Sequence, residues 1–302
     1  MMYDLNLMRI FAALIDEGSV TRAAHRLGMT QPAVSGALTR LRVLFGDPLF
    51  VRERYGMRPT EKALALAPAI TRALAGIDDA VLAAQGFDPA TARRSFVISA
   101  NSYAEFVLLP ALVARVQAEA PGVRLRVLPF GADLAETGLL TGDTALALGR
   151  IVDPPDTLVV QEILTDGLSC VLRADHPDAA GDRLDRAAFE RLRHVNLLPP
   201  GRLKVGLFQV LERLGLEREV AVSVTHFLAI PELVAATDLC ATLPTAICRR
   251  LAGDPRLKVL EPPADLGRFP GHMAWHIRHR EDDGHRWLRR LVREIAAAAV
   301  RT

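Results

Sequence analysis

Three side chains stand four residues apart in the stretch Gly28–Arg42, "GMTQPAVSGALTRLR": Gln31, Ser35 and Thr39. Residues four apart share one face of a helix. An amide and two hydroxyls on one face can hydrogen-bond the edges of bases, and glutamine can pair with adenine through two bonds at once. Nearby hydroxyls, Ser19 and Thr21, suit phosphate oxygens. Arg52 and Arg54 suit phosphates or a narrow minor groove. Arg40 and Arg42 lie further along and read equally well as solvated charges. Pro32 and Gly36 share the stretch and need separate explanations. Elsewhere, Asn101, Ser102 and Tyr103 follow an apolar strand-like run and open a helix, whose free N–H groups favour a carboxylate or another polar oxygen. Thr225, His226 and Phe227 do the same later in the chain. Arg150 and Asn196 sit near other strand ends. For all of these, capping or ordinary packing is the plain alternative.

Other chemistry is poorly supported. No G-x-S-x-G, P-loop or H-E-x-x-H pattern occurs, so no enzyme signature is present. The histidines of "GHMAWHIRHREDDGH" invite a metal, but on a strand His272 and His276 stand roughly 13 Å apart and His279 faces the other way. Cys170, Cys240 and Cys248 show no metal or redox spacing, lie among apolar residues, and read as small buried hydrophobes. No cofactor is expected.

The stripes need elements to hold them. Apolar residues at Leu7, Ile10, Phe11, Leu14 and Ile15 predict a first helix ending at Gly18. Ser19 caps a second, "VTRAAHRL", and Thr30 a third that runs to Gly46. Pro32 then falls in a first turn, where a missing N–H breaks no helical bond, so it marks a start. "LFVRE" and the turn signal "YG" predict a short ribbon. Helix, helix, tight turn, helix and ribbon make a winged helix-turn-helix, in which the last helix enters the major groove. Thr60 caps a long helix to about residue 85, where Leu66, Ile70, Ala73, Ile77, Ala80 and Ala84 form a short heptad seam suited to a dimer contact. Pro68 interrupts it and predicts a kink or a compensating neighbour.

From residue 95 strands and helices alternate, which predicts an α/β sheet domain. The expected strands are "SFVISA", "RLRVLPF", "TALALG", "TLVVQEIL", "LSCVLR", 194–198, 220–224, 239–243, 257–260 and 272–278. The expected helices are 103–119, "ADLAETGLL", 185–192, 203–214, 227–237, one from Pro244, and 283–299. About 210 residues is large for one lobe, and two lobes with a cleft between them are expected.

Charge agrees with the division. The 302-residue chain is near neutral at +2, yet residues 19–58 hold seven arginines against Asp47 and Glu53, a local net of +5. Residues 88–302 balance 27 basic against 27 acidic side chains. A basic segment on a neutral body points to a nucleic-acid-binding unit. No apolar run reaches the ~18 residues of a membrane span, and the start lacks the features of a signal peptide. The expected place is the cytoplasm, with no membrane partner.

These residues also resemble a known family. "SVTRAAHRLGMTQPAVSGALTRLRVLFGDPLFVRE" within residues 4–68 resembles the DNA-binding head of LysR-type transcriptional regulators, nearest the branch of nodulation and nitroaromatic regulators. "GDTALALG", "LSCVLRADHP", "HFLAIPELVAATDLCATLP" and "MAWHIRHREDDGHRWLR" look like later landmarks of that branch. The resemblance implies a fold class of α/β with an all-α-type head. The head would be a winged helix-turn-helix over residues 1–60 and the linker helix 61–92. An effector domain like periplasmic solute-binding proteins would cover 93–302. Its first lobe would hold 93–166 and 269–302 and its second 167–268, joined near Thr165–Leu168 and Arg268–Gly271. It implies a homodimer or homotetramer that binds double-stranded DNA and a small-molecule effector, with RNA polymerase as a further candidate partner. His226 beside Phe227 fits, by analogy within the branch, an aromatic acid or phenol. Members often carry arginine directly after the helix serine, where this chain has Gly36. That departure shifts base reading towards Gln31, Ser35 and the wing.

Overall fold

The computed structural model describes residues 4–53, 56–84, 86–131, 134–198 and 207–300, with the backbone alone at 72, 75, 79, 80 and 82–84. The chain forms two compact units, one through Gly86 and one from Phe87.

In the first unit α1 spans Leu5–Glu17, α2 Val20–Leu27 and α3 Gln31–Phe45. Each begins at a polar cap: Asp4 accepts from the Asn6 N–H, Ser19 from Arg22 and Thr30 from Ala33. Each ends on a glycine in the left-handed conformation, Gly18, Gly28 and Gly46. Apolar stripes of the three helices meet around Phe11, Ala23, Val34, Ala37, Leu38 and Leu41. The ribbon, β1 (Phe50–Glu53) against antiparallel β2 (Gly56–Pro59), closes over them, with the Phe50 ring 5.8 Å from that of Phe11. Its turn leans on the α1–α2 junction: Met57 N–H donates to Gly18 O at 2.8 Å, and a Cβ at Gly56 would stand 2.7 Å from that oxygen.

Helix α4 runs Glu61–Ala84 without interruption through Pro68. The expected seam divides. Leu66 and Ile70 pack into the head's own core, whereas Ala73 is exposed; the side chains of Ala80 and Ala84 lie outside the description. Two of the six seam positions are therefore occupied within the chain.

The second unit holds two five-stranded sheets. The first contains β3 (Ser95–Ala100), β4 (Arg124–Pro129), β5 (Leu146–Gly149), β6 (Leu158–Asp166) and, from far along the chain, β12 (Phe269–His276), in the order β4-β3-β5-β12-β6. The second contains β7 (Leu168–Arg173), β8 (Arg193–Leu197), β9 (Glu219–Val224), β10 (Cys240–Pro244) and β11 (Leu257–Leu260), in the order β11-β7-β10-β8-β9. The chain passes between lobes twice. It leaves at Gly167 and returns beside it, since Asp166 pairs with Phe269. Helices cover the sheets: α5 (Ser102–Val107), α6 (Leu109–Glu119) and α11 (Asp283–Ala299) on the first, and α7 (Arg186–Arg191), α8 (Leu207–Leu214), α9 (Ile230–Ala235) and α10 (Thr245–Leu251) on the second.

Four expectations change. The single helix 103–119 is two, broken at Leu108, with Pro110 in the first turn of α6. The described part of "ADLAETGLL" forms one turn of 3-10 helix, Ala135–Thr137. The helix 227–237 begins as a 3-10 turn at Phe227–Ala229 and becomes α9 at Ile230. The last strand starts three residues early, at Phe269. The part of the expected helix 203–214 before Leu207 lies outside the described residues.

Candidate functional site

On α3 the residues at 31, 35, 36, 39 and 40 are exposed, as is Pro32. Their neighbours Val34, Ala37, Leu38 and Leu41 are buried, so the core fixes which face α3 presents. Gln31, Ser35 and Thr39 share that presented face, and Thr39 Oγ1 donates to Ser35 O at 3.2 Å. A Cβ at Gly36 would meet nothing within 4 Å, so nothing in the head's packing requires a glycine there. Thr21 is exposed; Ser19 is half-buried, its Oγ accepting from Arg22 N–H at 3.4 Å.

The arginines divide by use. Arg42 braces the wing, with Nε donating to Pro48 O at 2.9 Å and Nη2 to Phe50 O at 3.2 Å. Arg26 pairs with Asp16 and Glu17, Arg22 with Glu17, and Arg58 with Glu53. Two of those acids, Asp16 and Glu17, lie just outside the segment whose charge was counted, so part of its excess is balanced within the head. Arg40 is exposed, 4.0 Å from Asp4, and Arg52 is exposed on β1. Arg54 lies outside the described residues.

The effector residues fall in two places. A cleft of about 560 Å³ is lined from both lobes. It lies beyond the C-terminal ends of β3 and β5, where open α/β sheets place ligands. Asn101 and Tyr103 follow β3, and Arg150 follows β5. The wall adds residues the sequence reading missed: Arg213 and Gln209 of α8, Arg268 and Phe269 at the second crossing, and His272 of β12. Ile163, Leu164 and Leu168 supply apolar wall. No carboxylate is among the described lining residues. Asn101 Oδ1 caps α5 through Ala104 N–H at 2.9 Å. Tyr103 OH donates to Asp166 at 2.9 Å, and its ring meets Phe269 edge-on. Burial first, then the Asp166 charge, pushes the Tyr103 phenol up, so it stays protonated and donates.

Ser102, His226 and Phe227 line a second, more open groove with Phe106, Leu228 and Arg250. There Phe227 packs edge-on to Phe106, and Arg250 reaches across to the Phe106 and Val107 carbonyls. Thr225 is exposed and lines neither space, and Asn196 accepts from Arg218 at 2.7 Å on β8.

The remaining chemistry is structural. Cys170, Cys240 and Cys248 are free thiols in full burial. His279 stacks on His285 with ring centroids 4.8 Å apart, and His276 caps the turn after β12 through Arg278 N–H. Among the described residues no group of three metal-ligating side chains comes together, and no helix is long and apolar enough to cross a membrane.

Comparison with known proteins places both units. A model for "Bacterial regulatory helix-turn-helix protein, lysR family" matches residues 5–64, and one for "LysR substrate binding domain" matches 89–297. The transcriptional activator NagR of Ralstonia sp is 32% identical over 98% of each chain. The transcriptional activator NahR of Pseudomonas putida is 30% identical over 97% of each. The crystal structure of a probable transcriptional regulator of Pseudomonas aeruginosa superposes with a TM-score of 0.78 at 34% identity, covering 96% of both chains. A capped, winged head and a two-lobed domain with an apolar, arginine-rimmed cleft fit that company, and the chain belongs to the LysR family of transcriptional regulators, which is not a family of enzymes.

Proposed function

We propose that this chain is a ligand-responsive, sequence-specific regulator whose cleft takes a small organic acid, aromatic in its apolar body. The observation that carries the effector class is the positive charge of the cleft's described wall. Arg150 of the first lobe and Arg213 of the second line one space, and neither has a carboxylate partner among the described residues. Guanidinium groups pair carboxylates through two bonds, and Phe269, Ile163 and Leu164 offer a ring its surroundings. The names of NagR and NahR as transcriptional activators support the regulatory half. A thermal-shift screen of aromatic acids and phenols on the full chain tests the effector class. A ligand held by the native state alone raises the melting temperature by mass action, and a flat screen sinks the acid reading.

On the DNA side we propose that Gln31, Ser35 and Thr39 read bases, that Arg40 and Arg52, with Arg54, meet the backbone, and that Ser19 and Thr21 reach phosphates. A homodimer or homotetramer in the cytoplasm, with RNA polymerase as a contact, completes the reading. A gel shift on the DNA beside the protein's own gene should show a specific band that weakens steeply as salt rises; its absence removes the regulator reading. Gly36 allows a finer test. Gly36→Ala should stabilise the head by up to about 1 kcal/mol through helix propensity, since the added methyl meets nothing. It should also weaken operator binding, because the open space is where α3 backbone approaches the DNA. Unchanged affinity in a more stable variant rules out close approach.

A further inference from the structure

Between Gly46, which ends α3, and Phe50, which opens the wing, the chain runs through Asp47, Pro48 and Leu49. Leu49 is the unusual one. It is fully buried and holds φ at 59°, in the left-handed region that a bulky side chain disfavours. Such strain persists only where the surroundings over-determine it, and it gathers where geometry serves function. Here a single oxygen does much of the determining. Asp47 Oδ1 accepts from Leu49 N–H at 2.7 Å and from the Thr60 hydroxyl at 2.8 Å, while Thr60 N–H donates to Leu49 O at 2.8 Å. Thr60 directly follows β2, so these bonds tie the entry of the ribbon to its exit. They do not build the flanking helices. Gly46 N–H closes α3 on Arg42 O, and Thr60 Oγ1 caps α4 by accepting from Ala63 N–H at 3.1 Å. What they fix is the backbone at Leu49, and with it the direction in which β1 leaves α3. Arg52 stands exposed on that strand.

We infer that Asp47 is a positioning residue for DNA binding: by holding Leu49 in its left-handed conformation it sets where Arg52 stands relative to the base-reading face of α3. A phosphate contact fixes register only if it is made at the same moment as the base contacts. A ribbon free to swing about Leu49 would leave α3 its bases and lose the phosphate. This rests on the proposed DNA contacts of α3 and Arg52.

The test titrates full-length protein onto the DNA beside its own gene at several salt concentrations. Asp47→Ala should keep the helical signal of wild type, bind about tenfold more weakly, and lower the slope of log K against log salt by about one, the mark of one lost phosphate contact. Arg52→Ala should lower the slope equally, and the double variant no further, because both changes remove the same contact. Asp47→Asn should bind as wild type does, since one amide oxygen can accept both bonds. Four results would each overturn the inference: an Asp47→Ala slope equal to that of wild type, a double variant whose slope falls further than either single one, an Asp47→Asn protein that behaves like the alanine variant, or loss of helical signal in Asp47→Ala, which would make the side chain a support of the fold. A wild type that shows no specific, salt-dependent binding instead removes the regulator reading, and this inference with it.

Discussion

Asp166→Asn is expected to cost the effector domain about 3 kcal/mol of stability and to blunt its response to effector. The carboxylate is 3% exposed at the first crossing between the lobes. Its Oδ1 accepts from Gly167 N–H at 2.8 Å, and its Oδ2 from Tyr103 OH at 2.9 Å and Ala246 N–H at 3.1 Å. Three donors converge on two oxygens. An amide has one oxygen, so either orientation turns an N–H against an N–H or loses the tyrosine. Hydrogen bonds to a buried charge contribute roughly 1.5–3 kcal/mol each, and an unmatched donor adds its own penalty. The functional half follows from position. Tyr103 lines the cleft in the first lobe, and Ala246 stands in the first turn of α10 in the second, so one side chain ties the ligand-facing wall to both lobes. Chemical denaturation of Asp166→Asn, Tyr103→Phe and the double variant checks this. Tyr103→Phe should lose about 1 kcal/mol, with clear coupling in the cycle. An Asp166→Asn protein as stable as wild type ends the idea.

The second large effect is on acid stability. His285 is fully buried at the start of α11, where Nε2 bonds Ala145 O at 2.9 Å and Nδ1 faces Arg289 Nη1 at 2.7 Å. Both ring nitrogens are committed in the neutral form. Burial, above all, holds its pKa down at about 4, although the Ala145 carbonyl pulls the other way. Stacked His279 is also held at about 4, by burial and then by His285. Next to them Asp282 feels burial pushing it up, but the Arg94 hydrogen bonds and the His285 N–H outweigh that and keep it at about 2. The signs agree. In the unfolded chain the histidines take protons near pH 6.5, so the unfolded state binds more protons between pH 6.5 and about 4, and stability falls across that window as pH drops. Asp282 adds a further loss between its ordinary 3.8 and about 2. For His285 alone the full effect is about 3 kcal/mol, at 1.36 kcal/mol per unit. The melting temperature should drop steeply from pH 7 to pH 5. His285→Gln should start lower at pH 7 and fall less. Parallel pH profiles for the two proteins would show that the imidazole is not the titrating group.

Local signals in the sequence were legible because their causes are local. Ser19 and Thr30 were read as caps and Gly18, Gly28 and Gly46 as helix ends, each acting through bonds within five residues, whereas the Asp4 cap of the first helix was missed. Pro32 was read as a start signal. Pro110 carries the same signal, and missing it merged α5 with α6. The cleft was half legible. Asn101, Tyr103 and Arg150 follow strands that the alternation predicts, and a strand end is a fair place to seek a site. Arg268 and His272 were not legible, because β12 meets β5 and β6 only across more than a hundred residues, and Arg213 comes to the cleft from a helix of the other lobe. His272 appeared first as an unconvincing metal ligand. Its place on the cleft wall follows only from the pairing of β12 with β5 and β6.

The strand order has a consequence for how this chain is made. In the first sheet β6 is held by β12 alone, and β12 is also the partner of β5. As the chain leaves the ribosome, β3 to β6 emerge with a missing neighbour that is about a hundred residues from being synthesised. The second lobe, residues 168–260, has all its strands by then and can fold as a unit during synthesis. Once it has, Gly167 and Arg268 are already close, and the loop that β12 must close shrinks from a hundred loose residues to a short tether. Until that moment the edges of β5 and β6 are open to pairing with another chain. Chains stalled or truncated before Phe269 should therefore be the aggregating species, with a folded second lobe inside them.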